Sequence, residues 1–250
     1  DVAPTPTPTP MSSDNSANRV DACTLSDCTP THLVLDWSCD FSAKSLRGVA
    51  TWTVTTAGST LTLDTKDLTI ERVTVGGEPA KFAFGDAHEA FGTALTISLP
   101  EGLAKGAKLS VAVHYATSPE SSALQWLPKE CTAGKKLPYL FSQCQAIHAR
   151  ALIPCADTPS AKFTYDAEVI VPEWATALMS AVSSGSKRKG GPEGGATSFT
   201  FEQTTPIPSY LLAVAVGNPI VAATSKRDHD LSNRYRGIET AALAVAAEGL

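Results

Sequence analysis

Short runs in which apolar residues fall at every second position, separated by glycine and proline, set the tightest limit on how this chain can fold. From His32 to Cys39, the residues Leu33, Leu35, Trp37 and Cys39 share one face, the period of a half-buried β-strand. Leu46, Ala50, Trp52 and Val54 keep phase in the next run, with Gly48 leaving a gap on that face. Leu61 and Leu63 follow Gly58, and beyond them the phase changes. Leu68 and Ile70 share one parity while Val73 and Val75 share the other, which predicts a bulge or bend. Gly76-Gly77 then predicts a tight hairpin turn. Leu95, Ile97 and Leu99 give a further strand, as do Leu109, Val111, Val113 and Tyr115, with a turn from Pro100 to Gly106 between them. Phe163, Tyr165, Ala167, Val169 and Val171 resume the alternation up to Pro172, and a loop leads on to Phe199 and Phe201. The unbroken apolar run from Tyr210 to Val216 predicts a strand covered on both faces. This succession of short strands and turns predicts an all-β sandwich or saddle.

The two ends depart from that rule. DVAPTPTPTP is a Pro-Thr repeat that stays extended and cannot build a core, so residues 1–20 are expected to form a disordered leader. The β domain is expected over residues 21–222 and a linker with a helical stub over 223–250. Ser225 to Arg236 is charged and loop-like there, and Ile238 to Leu250 is Ala-rich with helical character. With 250 residues the chain can bury a substantial core. A net charge of -5 gives no electrostatic case for nucleic acid or an anionic membrane as partner. Lys187, Arg188 and Lys189 sit among glycines and predict a solvated loop rather than a binding patch. No stretch reaches the ~18 apolar residues that would span a bilayer, and the N-terminus lacks the layout of a signal peptide. Six cysteines with no CxxC pair then predict reduced, packed thiols in a cytoplasmic setting.

Chemistry concentrates between Pro138 and Tyr165, where neither strand nor helix period is clean. Gln143 and Gln145 stand out. A carboxamide is uncharged, offers a fixed acceptor oxygen, and can hold an ammonium without its own counter-ion. Residue type alone favours a plainer role, in which both amides satisfy backbone groups of an irregular loop. His148, Arg150 and Asp157 look like a catalytic set, yet no nucleophile of known context accompanies them. Asp157, flanked by prolines, predicts a turn, and Arg150 predicts a pin through carboxylate or carbonyl contacts. Cys144 and Cys155 lack a paired general base. A zinc hydrolase of the HExxH kind needs two histidines one helical turn apart with a glutamate between them. The nearest string, His88-Glu89-Ala90-Phe91-Gly92, has glycine in place of the second histidine and lies in a loop-like stretch. His32, His114, His148 and His229 are scattered singly.

Several long runs carry a resemblance. They are LDTKDLTIE from Leu63 to Glu71, TSPESSALQWL from Thr117 to Leu127, SQCQAIH with the following Arg150 and PCADTPS, and PIPSYLLAVAVG from Pro206 to Gly217. In content and order they resemble the N-terminal domain of leukotriene A4 hydrolase and the related zinc aminopeptidases, over roughly Cys23 to Gly217. The resemblance implies a β domain of mixed and antiparallel sheets in an enzyme that removes N-terminal residues from short peptides. Hydrolysis of a lipid epoxide is a second activity that it admits. It further implies that Gln145 helps to hold the peptide's free amino group and that Gln143 and Ala146 line the substrate pocket. Zinc would be held by a catalytic domain that this sequence does not reach, and the family's Gly-rich motif ending in Met-Glu-Asn is also missing. The chain alone is therefore expected to be inactive, with a peptide substrate and that catalytic domain as its partners. The competing expectation is a stand-alone β module that binds peptides or a partner protein without catalysis.

Overall fold

A computed structural model of the protein describes residues 22, 23, 25, 27–189 and 195–218. The expected leader (1–20) and helical stub (223–250) lie outside them.

The largest sheet is built from β1 (Cys28–Asp40), β2 (Ser45–Thr56), β4 (Leu68–Val75), β5 (Glu78–Pro79), β8 (Lys108–Thr117), β11 (Lys162–Pro172), β13 (Val182–Lys189) and β14 (Ala196–Pro208). Its order is β13-β14-β11-β1-β2-β8-β4-β5. The β1–β11 pair is parallel, His32 opposite Thr164 and Ser38 opposite Ile170, so the sheet is mixed. A second sheet takes the order β12-β15-β10-β9, with β12 at Thr176–Met179, β15 at Val214–Gly217, β10 at Tyr139–Ser142 and β9 at Leu124–Leu127. β3 (Thr60–Thr65), β7 (Thr93–Ser98) and β6 (Phe82–Phe84) form the third. All ladders other than β1–β11 are antiparallel.

The alternation read from the sequence is the alternation of burial. Leu33, Leu35 and Trp37 of β1 and Leu46, Ala50, Trp52 and Val54 of β2 are all at most 1% exposed. They belong to one apolar cluster that joins the three sheets and includes Leu61, Leu63, Leu95, Ile97, Leu140 and Val216. A one-residue slip of β1 would turn its apolar face to water, at ~1.5–3 kcal/mol for each large side chain, so the register is tightly set. The parity change in β4 is a bulge, with the register against β8 shifting between Ile70 and Arg72. Gly76 and Gly77, at φ 61° and 90°, make the turn that pairs Val75 with Glu78.

The turn from Pro100 to Gly106 lies where expected, and it carries the chain from β7 in the three-stranded sheet to β8 in the large one. Two expectations need correction. The expected loop before Phe199 contains β12 and β13, so Lys187 and Arg188 lie on an edge strand rather than in a loop. Arg188 is 81% exposed there and pairs with Glu173 at 3.0 Å. The apolar run from Tyr210 to Val216 is strand only from Val214. Ser209–Leu211 instead form a 3-10 turn closed by Leu212 N–H donating to Ser209 O at 3.0 Å, with Leu211 48% exposed. Val214 to Gly217 are buried on both faces, as an unbroken apolar strand requires. Among the described residues no helix is long and apolar enough to cross a membrane.

Candidate functional site

Strand β10 delivers the two glutamines. It lies between β9 and β15, and Ser142 Oγ at its end accepts a hydrogen bond from Val214 N–H at 2.9 Å. One residue later Gln143 N–H donates to Ala123 O at 2.8 Å, and there the ladder ends. Cys144 turns inward and is 2% exposed, while Gln143, Gln145 and Ala146 are exposed. Gln145 N–H donates to Gln143 Oε1 at 2.9 Å. The Gln143 carboxamide thus serves its own loop through its oxygen, as the plainer reading of that residue anticipates. The Gln145 carboxamide has no hydrogen-bond partner among the described residues and reaches solvent. The Gln145–Ala146 peptide bond is cis.

The far side of the loop is tied down at once. His148 N–H donates to Cys144 O at 2.9 Å, and His148 Nδ1 lies 2.9 Å from Ser122 Oγ. The chain then makes a 3-10 turn, Ala149–Ala151, whose central Arg150 is fully buried. Its Nε donates to Asp157 Oδ2 at 2.9 Å, one terminal nitrogen to Phe91 O at 2.9 Å, and the other to Asp157 O at 3.3 Å. Arg150 N–H also reaches Asp157 Oδ2, at 3.2 Å. Asp64 Oδ1 stands 3.9 Å from the guanidinium, and Asp64 Oδ2 accepts Asp157 N–H at 3.0 Å. Ser209 Oγ donates to Asp157 Oδ1 at 2.6 Å. Burial pulls the guanidinium pKa down, but the hydrogen bond to Asp157 and the charges of Asp64 and Asp157 outweigh it and hold Arg150 more firmly protonated.

The catalytic-looking set is accordingly a structural one. Arg150 pins the loop through a carboxylate and two carbonyls, and Asp157 ties Arg150 to Ser209 as well as shaping its own turn. Asp64 and Ser209 complete this cluster; both stand in the runs LDTKDLTIE and PIPSYLLAVAVG, but neither is singled out by residue type or period. The one available signal was a carboxylate placed next to Leu63 in a strand. Burial first, then the charge of Asp157, raises the Cys144 thiol pKa, and the same causes with Asp64 raise that of Cys155. Both remain protonated and un-nucleophilic at neutral pH.

The described histidines do not converge. His88 Nδ1 accepts the N–H groups of Ala90 and Phe91, His32 lies against Thr164 and Asp166, and His114 against Arg72. Among the described residues no group of three or more His, Cys, Asp or Glu could hold a metal ion, so the zinc implied by the resemblance does not fit these side chains. His229 lies outside the described residues.

The fold and site define an all-β domain with an exposed carboxamide on a pinned loop and, among the described residues, no group that could hold a metal ion. The chain belongs to the Peptidase M1 N-terminal domain family, whose pattern matches residues 29–211. It is 48% identical over 189 residues to leukotriene A-4 hydrolase of Xenopus laevis, covering 74% of this chain and 31% of that protein. It is 44% identical over 191 residues to leucine aminopeptidase 2 of Yarrowia lipolytica, covering 76% and 28% respectively. Native yeast LTA4 hydrolase superposes with a TM-score of 0.72 at 30% identity, over 83% of this chain and 32% of that one. An M1 zinc metallopeptidase of Deinococcus radiodurans shares the fold at a TM-score of 0.60 and 23% identity, over 76% and 42%. The chain thus spans about a third of the length of the curated relatives it matches.

Proposed function

We propose that this chain is the substrate-anchoring N-terminal domain of a zinc aminopeptidase similar to leukotriene A4 hydrolase, acting on the free amino end of short peptides. One observation carries the reading: within SQCQAIH the Gln145 carboxamide is exposed and unengaged, on a loop fixed at both ends. Its Oε1 accepts a hydrogen bond from the peptide's ammonium and so orients the N-terminal residue. A hydrogen bond to a charged group is worth ~1.5–3 kcal/mol, enough to select for a free amine over a blocked one. Gln143 and Ala146 line the pocket beside it. Zinc, bound by residues outside those described here, supplies an activated water when present. Hydrolysis of a lipid epoxide is a second activity of the same parent under this reading. Cys28, Cys39, Cys131, Cys144 and Cys155 form no disulfide and four of these five are buried, which supports a reducing, cytoplasmic setting.

A second reading is a stand-alone peptide- or protein-binding module, in which the half-exposed Leu211 beside the four-stranded sheet would meet the partner. The reading frame beyond Leu250 separates the two. An in-frame HExxH with a later glutamate supports the enzyme, and a native stop codon supports the module. The purified 250-residue chain, supplied with zinc and an aminoacyl-anilide, is expected to give no turnover. Turnover above blank refutes the division of labour proposed here.

A further inference from the structure

We infer that the buried Arg150–Asp157 pair, braced by Asp64 and Ser209, is the positioning device that sets where Gln145 stands. The inference rests on the reading of Gln145 as the amine anchor. Neither Arg150 nor Asp157 reaches a ligand, since their side chains are 0% and 1% exposed. They act through the backbone. Arg150 lies five residues after Gln145, and both its N–H and its Nε close on the same oxygen, Asp157 Oδ2. Asp157 is held in turn by Ser209 Oγ and donates its own N–H to Asp64. Lys66 N–H donates to Arg150 O at 2.9 Å, and Ser121 Oγ to Ala151 O at 2.7 Å. The turn that ends the glutamine loop is therefore fixed against β3, the β6–β7 connection and the entry to β15 together.

Stability alone does not account for burying a guanidinium between two carboxylates. Well-packed apolar side chains of similar volume serve as well or better, and the attested use of such groups is to select one arrangement among several. Here the arrangement selected is that of a loop in which Cys144 packs inward while Gln143, Gln145 and Ala146 beside it are exposed and have little packing of their own. An ammonium anchor displaced by about 1 Å loses much of its value, since productive geometry is that narrow.

The test is a double-mutant cycle in the zinc-loaded enzyme that carries this domain. Asp157→Ala is expected to lower kcat/KM about tenfold, chiefly through KM, and Asp157→Asn to restore it to within about threefold. In a Gln145→Ala background, Asp157→Ala should add less than about twofold, because its effect passes through an amide no longer there. Full multiplication of the two losses would make the pair merely structural and overturn the inference. An unchanged kcat/KM in Gln145→Ala alone would instead sink the anchor reading itself. Should Asp157→Ala fail to fold, Ser209→Ala is read in the same cycle, with an expected loss of about threefold; no loss there counts against the inference. In the 250-residue chain, amide exchange at Gln145 and His148 should quicken at least about tenfold in Ser209→Ala while β1 and β2 keep their protection. Equal loss everywhere would contradict it.

Discussion

Trp37 and Tyr115 meet above the one residue between them that has no side chain. Trp37 Nε1 donates to the Tyr115 hydroxyl at 2.8 Å, and in the ladder Gly48 is opposite both residues, one on each side. The gap that Gly48 leaves in the apolar face of β2 is thus occupied by a hydrogen bond spanning three strands. Both rings are at most 1% exposed. Tyr115→Phe strands a buried indole N–H and should destabilise the domain by ~1–3 kcal/mol. Gly48→Ala is expected to be worse, at least about 3 kcal/mol, because the new Cβ would stand 1.7 Å from the carbonyl oxygen of Asp36. Urea unfolding of the three proteins ranks them; Gly48→Ala as stable as the parent would refute the packing described.

Arg150→Ala leaves the Asp64 and Asp157 carboxylates buried without the charge between them. Removing one partner of a buried pair costs ~3–5 kcal/mol. For a domain of this size the melting temperature should fall by roughly 6–20 °C. A fall of only a degree or two in a thermal melt would show that water reaches the cluster.

Alkaline pH should weaken the fold. Burial, helped by the charge of Asp40, pushes the Cys39 thiol from its ordinary 9.0 to about 12. The folded chain then keeps this proton over a range in which the unfolded chain has lost it. The contribution to stability is complete below about pH 9 and disappears as the pH rises towards 12. Cys144, Cys155 and Tyr115 are raised chiefly by burial and act in the same direction. The urea midpoint, followed from pH 7.5 to 11, is expected to hold and then decline above about 9. A thiol reagent at pH 8 should label the exposed Cys131 first, with the five buried cysteines following only on unfolding. A flat midpoint, or rapid labelling of all six, would contradict the burial.

The long strands β1, β2, β8 and β11 were legible residue by residue, and the bulge at Glu71 in β4 with them, because alternation and burial are the same physical fact. What escaped has physical reasons too. β13 (Val182–Lys189) is an edge strand whose side chains from Val182 to Arg188 are all exposed, so it carries no period. β12 is four residues long, too short for a pattern to register. The parallel pairing of β1 with β11 joins residues 132 apart, and no local sequence rule encodes it. At the site, the pin made by Arg150 was readable from its residue type and the prolines around Asp157. Its bracing by Asp64 was not, because that contact spans 93 residues to Asp157. The exposure of Gln145 is likewise a product of the loop's tethers rather than of any neighbour in sequence.

The account stands or falls on Gln145, whose value is best measured as kcat/KM for an aminoacyl-anilide in the zinc-loaded enzyme that carries this domain. Loss of one hydrogen bond to an ammonium, at ~1.5–3 kcal/mol, predicts that Gln145→Ala lowers kcat/KM by roughly ten- to a hundredfold at unchanged zinc content. A kcat/KM equal to the parent's would remove Gln145 from the site and leave the chain a fold without an anchor.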